Sequence, residues 1–559
     1  MKEKLNDLLK NTIDYCFQQE LLKETPLPDY VIEVPNNRDH GHLATNLPML
    51  LASSQKRAPR DIAKVIVENF KDPEGFLEKI EIAGPGFINF TISSIEWLKI
   101  LKDIIELNEK YGSTASKRGE SVLVEFVSAN PTGPLHLGHG RGAALGDTIC
   151  RILDFRGYDV VREFYINDAG VQIRLLGESI YARWLQMNNP DHPFPENGYH
   201  GDYILDLAKE IAAEKDLSSM DEETAISTCS EIGKEKMLLE IKKDLEQFRV
   251  DFDIWFNESE LFEKGLVAKS LEEMKEKDEL YEKDGALWIK TASYGDDKDR
   301  VIKKQDGQFT YFASDISYHL EKHKRGFSRA LNLWGADHHG YINRVKSALK
   351  ANDIDGNWLS VLLIQLVKLF KEGQEIRMSK RAGQYVTMKD LLEEVDVDAA
   401  RFVFLTKTHD SALDFDIDMV KKHDNDNPVY YVQYAHARIC SIFRKAEDEG
   451  IDIALNIDEN DLTGLKLDEE VDLIRYLEGF TELLDSICKS FEAHRLTYYL
   501  TDLAARFHRY FNLGIKDGGN RIITEDLQLT KARLALVAGV KTVIRNGLNL
   551  LGVSAPEKM

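Results

Sequence analysis

Two histidines three residues apart, His136 and His139, stand where the chain could bind a phosphate. They follow an apolar run at 122–127 and a turn rich in proline and glycine, which is typical of a buried strand that leads into a helix. Residues three apart on a helix face one side, and the free N–H groups of a helix N-terminus attract phosphate. Gly138 has no side chain, so a base or ribose can lie against the backbone. The arrangement favours attack on the α-phosphate of a nucleoside triphosphate, with histidine donors stabilising the developing charge.

Two other interpretations of His-x-x-His stay open at this point: half of a metal site, or two ordinary polar residues of a helix. No third metal ligand stands nearby, and no Cys-x-x-Cys pair occurs in the chain. The five cysteines are scattered and odd in number, which predicts no zinc ribbon and no disulfide framework, as in a reducing cytoplasm. The two prolines and one glycine of the turn argue against an ordinary helix surface.

A second basic motif lies about 240 residues further on, at Arg377-Met-Ser-Lys380-Arg-Ala-Gly. Together, His136-Leu-Gly-His139 and Arg377-Met-Ser-Lys380 resemble the HIGH and KMSK signature motifs of class I aminoacyl-tRNA synthetases. This chain departs from the family wording at Leu137, where the motif has isoleucine, and at Arg377, where it has lysine. Arginine keeps the positive charge but grips phosphate differently from lysine, which affects how the work is divided between Arg377 and Lys380.

The wording around both motifs resembles arginyl-tRNA synthetases of the bacterial type over nearly the whole chain. The stretches that carry this resemblance are Glu125–Pro131, Tyr165–Gly170, Thr310–Asp315, Trp334–Gly340 and Asn427–His436, with His40–Thr45, Ala83–Asn89 and Ser554–Met559 towards the ends. The resemblance implies an α/β fold: a class I synthetase catalytic core with a Rossmann-like parallel sheet and a helical insertion. An N-terminal α+β domain and a C-terminal all-α bundle accompany it.

Hydrophobic periodicity and turn signals predict the corresponding domain boundaries. We expect an N-terminal α+β domain at 1–95, a linker helix at 96–120, a catalytic domain at 121–395 with a helical insertion at about 172–285, and a helical bundle at 396–559. The pattern places strands of the second half of the sheet at 286–290, 310–312 and 329–334. The resemblance implies that the first domain contacts the transfer RNA and that the last binds its anticodon.

The resemblance implies a reaction in two steps. The arginine carboxylate attacks the ATP α-phosphate to give arginyl-adenylate and pyrophosphate, and a terminal ribose hydroxyl of the tRNA then takes the arginyl group. His136, His139 and Lys380 are the expected catalytic residues, with Lys380 covering the β- and γ-phosphates. The ATP-binding residues are expected to be Ala129, Asn130, Pro131, Thr132, Gly133, Pro134, Leu135, His136, Leu137, Gly138, His139, Arg377, Met378, Ser379, Lys380 and Arg381. Mg²⁺ would enter with ATP and be held mainly by the phosphates, with no zinc and no organic cofactor.

Selection of arginine requires carboxylates, because a guanidinium is matched by carboxylates in bidentate geometry. The resemblance nominates Glu258 and Asp315, with the Tyr311 hydroxyl beside them. It assigns Ser128 and Asn130 to the α-amino and carboxylate groups of arginine. Tyr318, Asp337 and His338 are further candidates for the pocket wall. Tyr311 and Asp315 are four residues apart, so on a helix they could face one cavity.

The net charge of −23 argues against general nucleic-acid binding, although its distribution is uneven. Residues 486–559 contain eleven Lys or Arg and six Asp or Glu, whereas residues 425–485 contain five and fifteen. A basic helical terminus on an acidic body could accept an RNA that docks in register, but an ordinary solvated surface explains the counts as well. The expected tRNA contacts are Tyr434, Arg438, Arg506 and Arg509.

Hydrophobic content of 43% and the absence of a long apolar run predict a globular, non-membrane protein. The N-terminal segment is amphipathic with acidic residues and is typical of neither a signal nor a transit peptide. The expected enzyme is an arginine-specific tRNA ligase, cytoplasmic and monomeric, that uses L-arginine, ATP and tRNA(Arg). The alternatives are a class I synthetase for another amino acid, a catalytically inactive tRNA-binding paralogue, and a dinucleotide-dependent oxidoreductase. The last of these lacks a G-x-G-x-x-G turn with a ribose-binding acid after the first strand.

Overall fold

The computed structural model of the protein describes residues 1–35, 37, 40–168, 170–376, 386–451 and 462–559. The chain divides into two compact units. The first unit comprises residues 1–111, 438–480 and 505–543, and the second comprises residues 112–437, 481–504 and 544–559. No helix of the described part is long and apolar enough to cross a membrane. The domain boundaries expected from the sequence stay predictions.

The N-terminal part of the first unit is an α+β module. Its antiparallel sheet has the strand order β1-β2-β4-β3, formed by β1 (Ile32–Glu33), β2 (Leu43–Thr45), β3 (Leu77–Ala83) and β4 (Phe87–Ile92). Its helices are α1 (Lys2–Gln18), α2 (Leu47–Gln55), α3 (Pro59–Glu68) and α4 (Ser94–Leu107). Leu9, Ile62 and Phe90 are fully buried, so this module has a hydrophobic core.

A five-stranded parallel sheet forms the centre of the second unit. Its strand order is β12-β11-β5-β6-β7, formed by β5 (Ser121–Glu125), β6 (Asp159–Ile166), β7 (Ile254–Asn257), β11 (Arg329–Gly335) and β12 (Leu359–Ile364). From β5 the chain adds strands on one side, and β11 then pairs with the other side of β5. Open parallel sheets bind ligands at the carboxyl ends of the strands, where the strand order reverses. The parallel α/β core expected from the sequence is confirmed.

Helices connect these strands. They are α5 (Leu137–Phe155), α6 (Val171–Asn188), α7 (Asp202–Glu214), α8 (Glu222–Gln247), α9 (Ser259–Glu263), α10 (Leu266–Glu276), α11 (Tyr311–Lys324) and α12 (Ile342–Ala351). Helix α5 approaches β5 closely, since a Cβ on Gly146 would lie 2.3 Å from the Phe126 ring. Helices α6, α7 and α8 share a separate core that includes Leu176, Ile204 and Cys229.

The predicted helical insertion at 172–285 differs from the structure in its second half. Helices do occupy 171–247 almost continuously, but Ile254–Asn257 forms β7, the edge strand of the central sheet. The charged helices on both sides hid this strand, because four residues are too few to show a clear periodicity. The correction matters for the site, since Glu258 directly follows β7 and therefore lies at the carboxyl edge of the sheet.

The assignment to the central sheet was also wrong for two of the three segments that were expected to complete it. Residues 286–289 form β9, the middle strand of a small antiparallel sheet with β8 (Leu280–Lys283) and β10 (Arg300–Lys303). Thr310 does not continue a strand but is the N-cap of α11. Only the third segment is a strand of the central sheet, as β11. Aromatic and β-branched residues favour strands, but at Thr310 the tertiary context selects a helix start.

A fourth sheet, β14-β13-β15, follows β12. It consists of β13 (Val367–Lys371), β14 (Gln374–Ile376) and β15 (Leu413–Asp416). Strand β15 falls inside the segment expected to be entirely helical, and it pairs in parallel with β13. The other elements beyond residue 386 are helices: α13 (Met388–Glu394), α14 (Val397–Phe404), α15 (Ile417–Val420), α16 (Pro428–Asp448), α17 (Asp468–Ser490), α18 (His494–Lys516) and α19 (Leu527–Leu550). The helical C-terminal part is thus confirmed apart from β15.

Candidate active site

Three carboxyl strand ends of the central sheet meet beside a helix N-terminus. Strand β5 ends at Glu125, β6 ends at Ile166, and β7 ends at Asn257, directly before Glu258. The backbone N–H of Glu258 donates to the Ile166 carbonyl at 2.9 Å, which fixes this residue at the sheet edge. Because parallel strands end at a common edge, residues far apart in sequence converge here.

A strained turn follows β5. Val127 and Ser128 have φ values of 68° and 42°, a region that a β-branched residue such as valine rarely adopts. The Ser128 hydroxyl donates to Glu125 Oε1 at 3.0 Å and accepts from the Tyr165 N–H at 3.2 Å. Two neighbouring strands therefore hold Ser128 in this conformation. Asn130 lies two residues further on and donates to Gln172 Oε1 at 2.7 Å.

His136 and His139 lie at the N-terminus of α5, as the sequence predicts. His136 is the N-cap, and its Nδ1 accepts the Gly138 N–H at 3.1 Å. His139 Nδ1 accepts the His136 N–H at 3.2 Å, and the two rings stack with centroids 3.7 Å apart. Because each Nδ1 accepts a hydrogen bond, each neutral ring carries its hydrogen on Nε2. The pair therefore presents two N–H donors at the positive end of a helix dipole.

The rest of the first motif is mostly packed inside the protein. The side chains of Ala129, Pro131, Thr132, Leu135 and Leu137 are buried, whereas Asn130, Gly133, Pro134, Gly138 and His139 are partly exposed. The Thr132 carbonyl accepts the Tyr203 hydroxyl at 2.8 Å. The buried residues set the course of the turn, so a ligand could meet them only through the backbone.

The second motif, Arg377, Met378, Ser379, Lys380 and Arg381, lies outside the described residues. Strand β14 ends at Ile376, and on the other side the Met388 N–H donates to the Leu135 carbonyl at 2.7 Å. Thr387 forms an antiparallel bridge with His136. The chain that leaves the second motif is therefore hydrogen-bonded to the first motif.

Glu258 and Asp315 form the acidic part of the site. Burial, followed by the nearby charges of Asp315 and Asp168, raises the pKa of Glu258 to about 7. Burial is also the main cause that raises the pKa of Asp315 to about 6, although the hydroxyl of Tyr341 donates to this carboxylate. Both carboxyl groups would become easier to ionise beside a cation. They are therefore suited to a positively charged ligand.

Tyr311 and Asp315 lie on one turn of α11, the arrangement in which their spacing of four residues lets them face one cavity. The Tyr311 side chain is 73% exposed and lines an open cavity of about 390 Å³ together with Arg300, Tyr341 and Arg344. Tyr341 connects the two residues, since it lines this cavity and also donates to Asp315.

A buried ionic network lies beneath the site. The Lys322 ammonium, on α11, donates to Glu125 Oε2 and to Asn332 Oδ1, the latter at 3.1 Å. Tyr318 donates to Glu163 and, at 3.3 Å, to Glu125. Tyr318 was a candidate for the pocket wall, but it is 3% exposed and belongs to this network instead. Of the other two candidates, His338 lies near enough to Asp315 to lower the pKa of that carboxyl, against the larger effect of burial.

Sequence reasoning missed Glu125, Tyr165, Tyr341 and Lys322 as residues of the site. Glu125 and Tyr165 stand at or next to the carboxyl end of a strand, and that position could have identified them. Lys322 and Tyr341 give no comparable signal, since only the tertiary structure brings them to the site.

The expected tRNA contacts are spread over both units. Tyr434 belongs to the second unit and stacks on Tyr430, with ring centroids 6.1 Å apart. Arg438, Arg506 and Arg509 belong to the first unit. Arg506 pairs with Asp472, and Arg438 lies 4.7 Å from the centre of the Phe511 ring, whereas Arg509 is exposed. The structure does not test contact with RNA, so these four roles stay predictions.

Three family models match consecutive parts of the chain. Residues 2–92 match the arginyl tRNA synthetase N terminal domain, residues 100–439 match the catalytic domain of class I (R) tRNA synthetases, and residues 432–559 match the DALR anticodon binding domain.

Curated relatives match over the full length. The arginine--tRNA ligase of Desulfosudis oleivorans is 49% identical and that of Bacillus subtilis is 44% identical, and each alignment covers 100% of this chain and at least 99% of the relative. Among solved structures, the Thermus thermophilus arginyl-tRNA synthetase has a TM-score of 0.77 at 22% identity, with 100% of both chains covered. The Plasmodium falciparum arginyl-tRNA synthetase has a TM-score of 0.73 at 20% identity, with 100% of this chain and 99% of that chain covered. At these identities, the two structures establish the fold.

Proposed function

The chain belongs to the arginyl-tRNA synthetase family, and from this membership we propose which residues carry out each part of the reaction. The protein is an arginine--tRNA ligase that uses ATP to join L-arginine to tRNA(Arg) through an arginyl-adenylate. Its reaction needs no protein nucleophile, because the substrate carboxylate attacks the phosphorus itself. The residues must position the reactants and neutralise charge.

The convergence of Glu258 and Asp315 at the carboxyl edge of the sheet is the observation that carries the arginine assignment. Two carboxylates can pair with a guanidinium in bidentate geometry. A substrate with a thiol or an acidic side chain could not pair with them in this way. Tyr311, on the same helix as Asp315, is the third residue of the proposed pocket. The raised pKa values of both carboxyl groups support a cationic ligand at this site, because a nearby positive charge would favour their ionised forms.

Ser128 and Asn130 hold the α-amino and carboxylate groups of arginine in this proposal. Both follow β5 directly, at the same edge as Glu258, and the strained turn holds Ser128 in a fixed position. In this proposal the reacting carboxylate lies towards the N-terminus of α5 and the two histidines.

His136 and His139 stabilise the α-phosphate with their Nε2–H groups, aided by the dipole of α5. Lys380, with Arg377, Ser379 and Arg381, covers the β- and γ-phosphates. The described flank of that motif supports this role, since Met388 is hydrogen-bonded to Leu135.

Mg²⁺ enters with ATP in this proposal. Within the described part of the chain, no three His, Cys, Asp or Glu side chains are grouped so that they could hold a metal. A cation carried by a triphosphate is held mainly by the phosphates and by one or two protein ligands at most. The protein's own residues then bind and orient the triphosphate, as described above.

The remaining assignments concern the tRNA and the state of the protein. Tyr434 stacks on an anticodon base, and Arg438, Arg506 and Arg509 contact phosphates. The protein acts in the cytoplasm as a monomer. Arg506 would have to exchange its partner Asp472 for phosphate, which is favourable only when the RNA approaches closely.

Arginine-dependent ATP–pyrophosphate exchange tests this function. We expect exchange with arginine and with none of the other amino acids, in the presence of tRNA. D315N should keep the fold and lose arginine activation, whereas D306N, an exposed aspartate, should behave as wild type. Wild-type exchange by D315N would remove Asp315 from the pocket. A folded wild-type protein that binds tRNA but shows no exchange would favour the inactive paralogue.

A further inference from the structure

We propose that Lys322 is a positioning residue for arginine activation, which acts through Glu125 and Ser128 on the turn beneath the α-amino group of arginine. This inference rests on the proposed roles of Ser128 and Asn130. Lys322 itself need not touch the substrate.

Lys322 is buried and paired with acidic and polar side chains. Its side chain is 0% exposed, which is rare for lysine unless the ammonium is paired. It donates to Glu125 Oε2 and to Asn332 Oδ1, and it lies 3.8 Å from Glu163 Oε1. Glu163 has a second cation, Arg325, so Lys322 is the principal charge partner of Glu125.

Glu125 connects Lys322 to Ser128. Burial would raise the pKa of Glu125, but the charge and hydrogen bond of Lys322 overcome this and lower it. An ionised Glu125 can accept hydrogen bonds through both oxygens. Its Oε2 faces Lys322, and its Oε1 accepts the Ser128 hydroxyl at 3.0 Å. Ser128 can then accept the Tyr165 N–H with its oxygen.

The backbone of the turn that contains Ser128 adopts an unfavourable conformation. Val127 and Ser128 both adopt positive φ, a conformation that is unfavourable for these residues and persists only when the surroundings hold it. The hydrogen bonds of the Ser128 side chain to Glu125 and to the Tyr165 N–H help to hold this turn, together with the backbone hydrogen bond from the Ser128 N–H to the Phe126 carbonyl. Loss of the Lys322 charge would favour a protonated Glu125, which needs an acceptor of its own for its hydrogen. The turn would then relax, and Asn130 would move with it.

Steady-state kinetics of the full-length enzyme, with tRNA present, can test the proposal. K322M replaces the ammonium with an apolar chain of similar length. We expect the arginine KM to rise about ten-fold or more, since one partner of a buried ion pair is lost, while the ATP KM changes less than two-fold. K324M is the matched control, because Lys324 lies on the same helix but is exposed, and its kinetics should stay at wild type.

A double-mutant cycle separates action through Glu125 from a general loss of structure. E125Q should raise the arginine KM as well, and K322M should add no further rise in the E125Q background. Independent, multiplicative effects would overturn the proposal, as would a wild-type arginine KM in K322M. A merely structural role would lower the melting temperature and kcat without separating the two KM values.

If K322M does not fold, S128A tests the next link. S128A should raise the arginine KM alone, with no further rise in the double variant E125Q/S128A, and a wild-type arginine KM would overturn the proposal. Wild-type exchange is the reference for every variant. If the wild-type enzyme shows no arginine-dependent exchange, the proposed function fails, whereas an active wild type with an unaffected K322M refutes only the role of Lys322.

Discussion

The Met388 N–H donates a 2.7 Å hydrogen bond to the Leu135 carbonyl, which joins the segment after the second motif to the turn of the first. Met388 is also the first residue of α13, a position where the N–H has no partner inside the helix. The bond is therefore a contact between the first motif and the segment that follows the second, and it contributes little to the helix itself. It offers a way to weaken the link without changing any side chain that faces ATP.

M388P should raise the ATP KM. Proline fits the first turn of a helix, and Thr387 before it already has extended dihedral angles, so α13 should persist. M388A loses the same buried side chain but keeps the N–H, and it is the matched control. The loss of one hydrogen bond is worth about 0.5–1.5 kcal/mol, so M388P should bind ATP about two- to ten-fold more weakly than M388A. Equal ATP KM values in the two variants would contradict a role for this bond.

Arginine affinity should fall as the pH drops below about 7. In the protein without arginine, burial raises the pKa of Glu258 to about 7 and the pKa of Asp315 to about 6. A bound guanidinium favours the ionised forms, so arginine must displace protons at lower pH. Below pH 6, when both groups are protonated, the Kd should rise steeply, by about ten-fold per pH unit for each group. Calorimetry in buffers of different ionisation enthalpy should detect proton release.

E258Q provides the control for this pH dependence. The variant should bind arginine weakly, with the part of the pH dependence near pH 7 removed. A wild-type Kd that stays constant between pH 5.5 and 8 would rule out the coupling.

E258Q should also stabilise the ligand-free protein at pH 8. The pKa of Glu258 in the folded state, about 7, lies above its ordinary value of 4.5. The protonated form therefore favours folding, and this contribution is present below about pH 4.5 and lost as the pH rises through 7. Glutamine stays neutral, so its melting temperature should exceed that of wild type at pH 8 and match it at pH 4.5. E263Q replaces an exposed glutamate at the end of α9, the helix that Glu258 precedes as N-cap, and should show no such difference.

G138A should lower kcat by a large factor and have a smaller effect on the stability of the fold. A Cβ at Gly138 would lie 3.0 Å from Cε1 of His136, closer than the 3.5–4.0 Å of an unstrained carbon contact, so the ring would have to tilt. We expect kcat for exchange to fall about ten-fold or more, because the donor would no longer meet the phosphate. G142A is the matched control on α5, where the nearest atom lies at 3.4 Å and alanine favours the helix. Similar kinetics for both variants would refute the role of the His136 ring.

The sequence was sufficient to identify the chemistry. The residues around His136 and Lys380 identified the family. Local patterns predicted most long elements, such as α5 and α16, because amphipathic periodicity and capping depend on residues that are close in sequence. Short elements with little periodicity were missed or misassigned, including β7, β15 and the start of α11 at Thr310. Their conformation depends on partners that are distant in sequence.

Only the tertiary structure decided how the site is assembled. The sequence nominated Glu258 through resemblance but could not place it, and the pairing of β6 with β7 puts it at the carboxyl edge of the sheet. Lys322 carries no local signal at all, since an isolated lysine on a helix is usually solvated. It becomes part of the site because α11 brings it to Glu125, which is 197 residues away in the chain. Local physics thus determined the motifs and helices, whereas the parallel packing of strands determined which charges share a buried environment, and so their pKa values and partners.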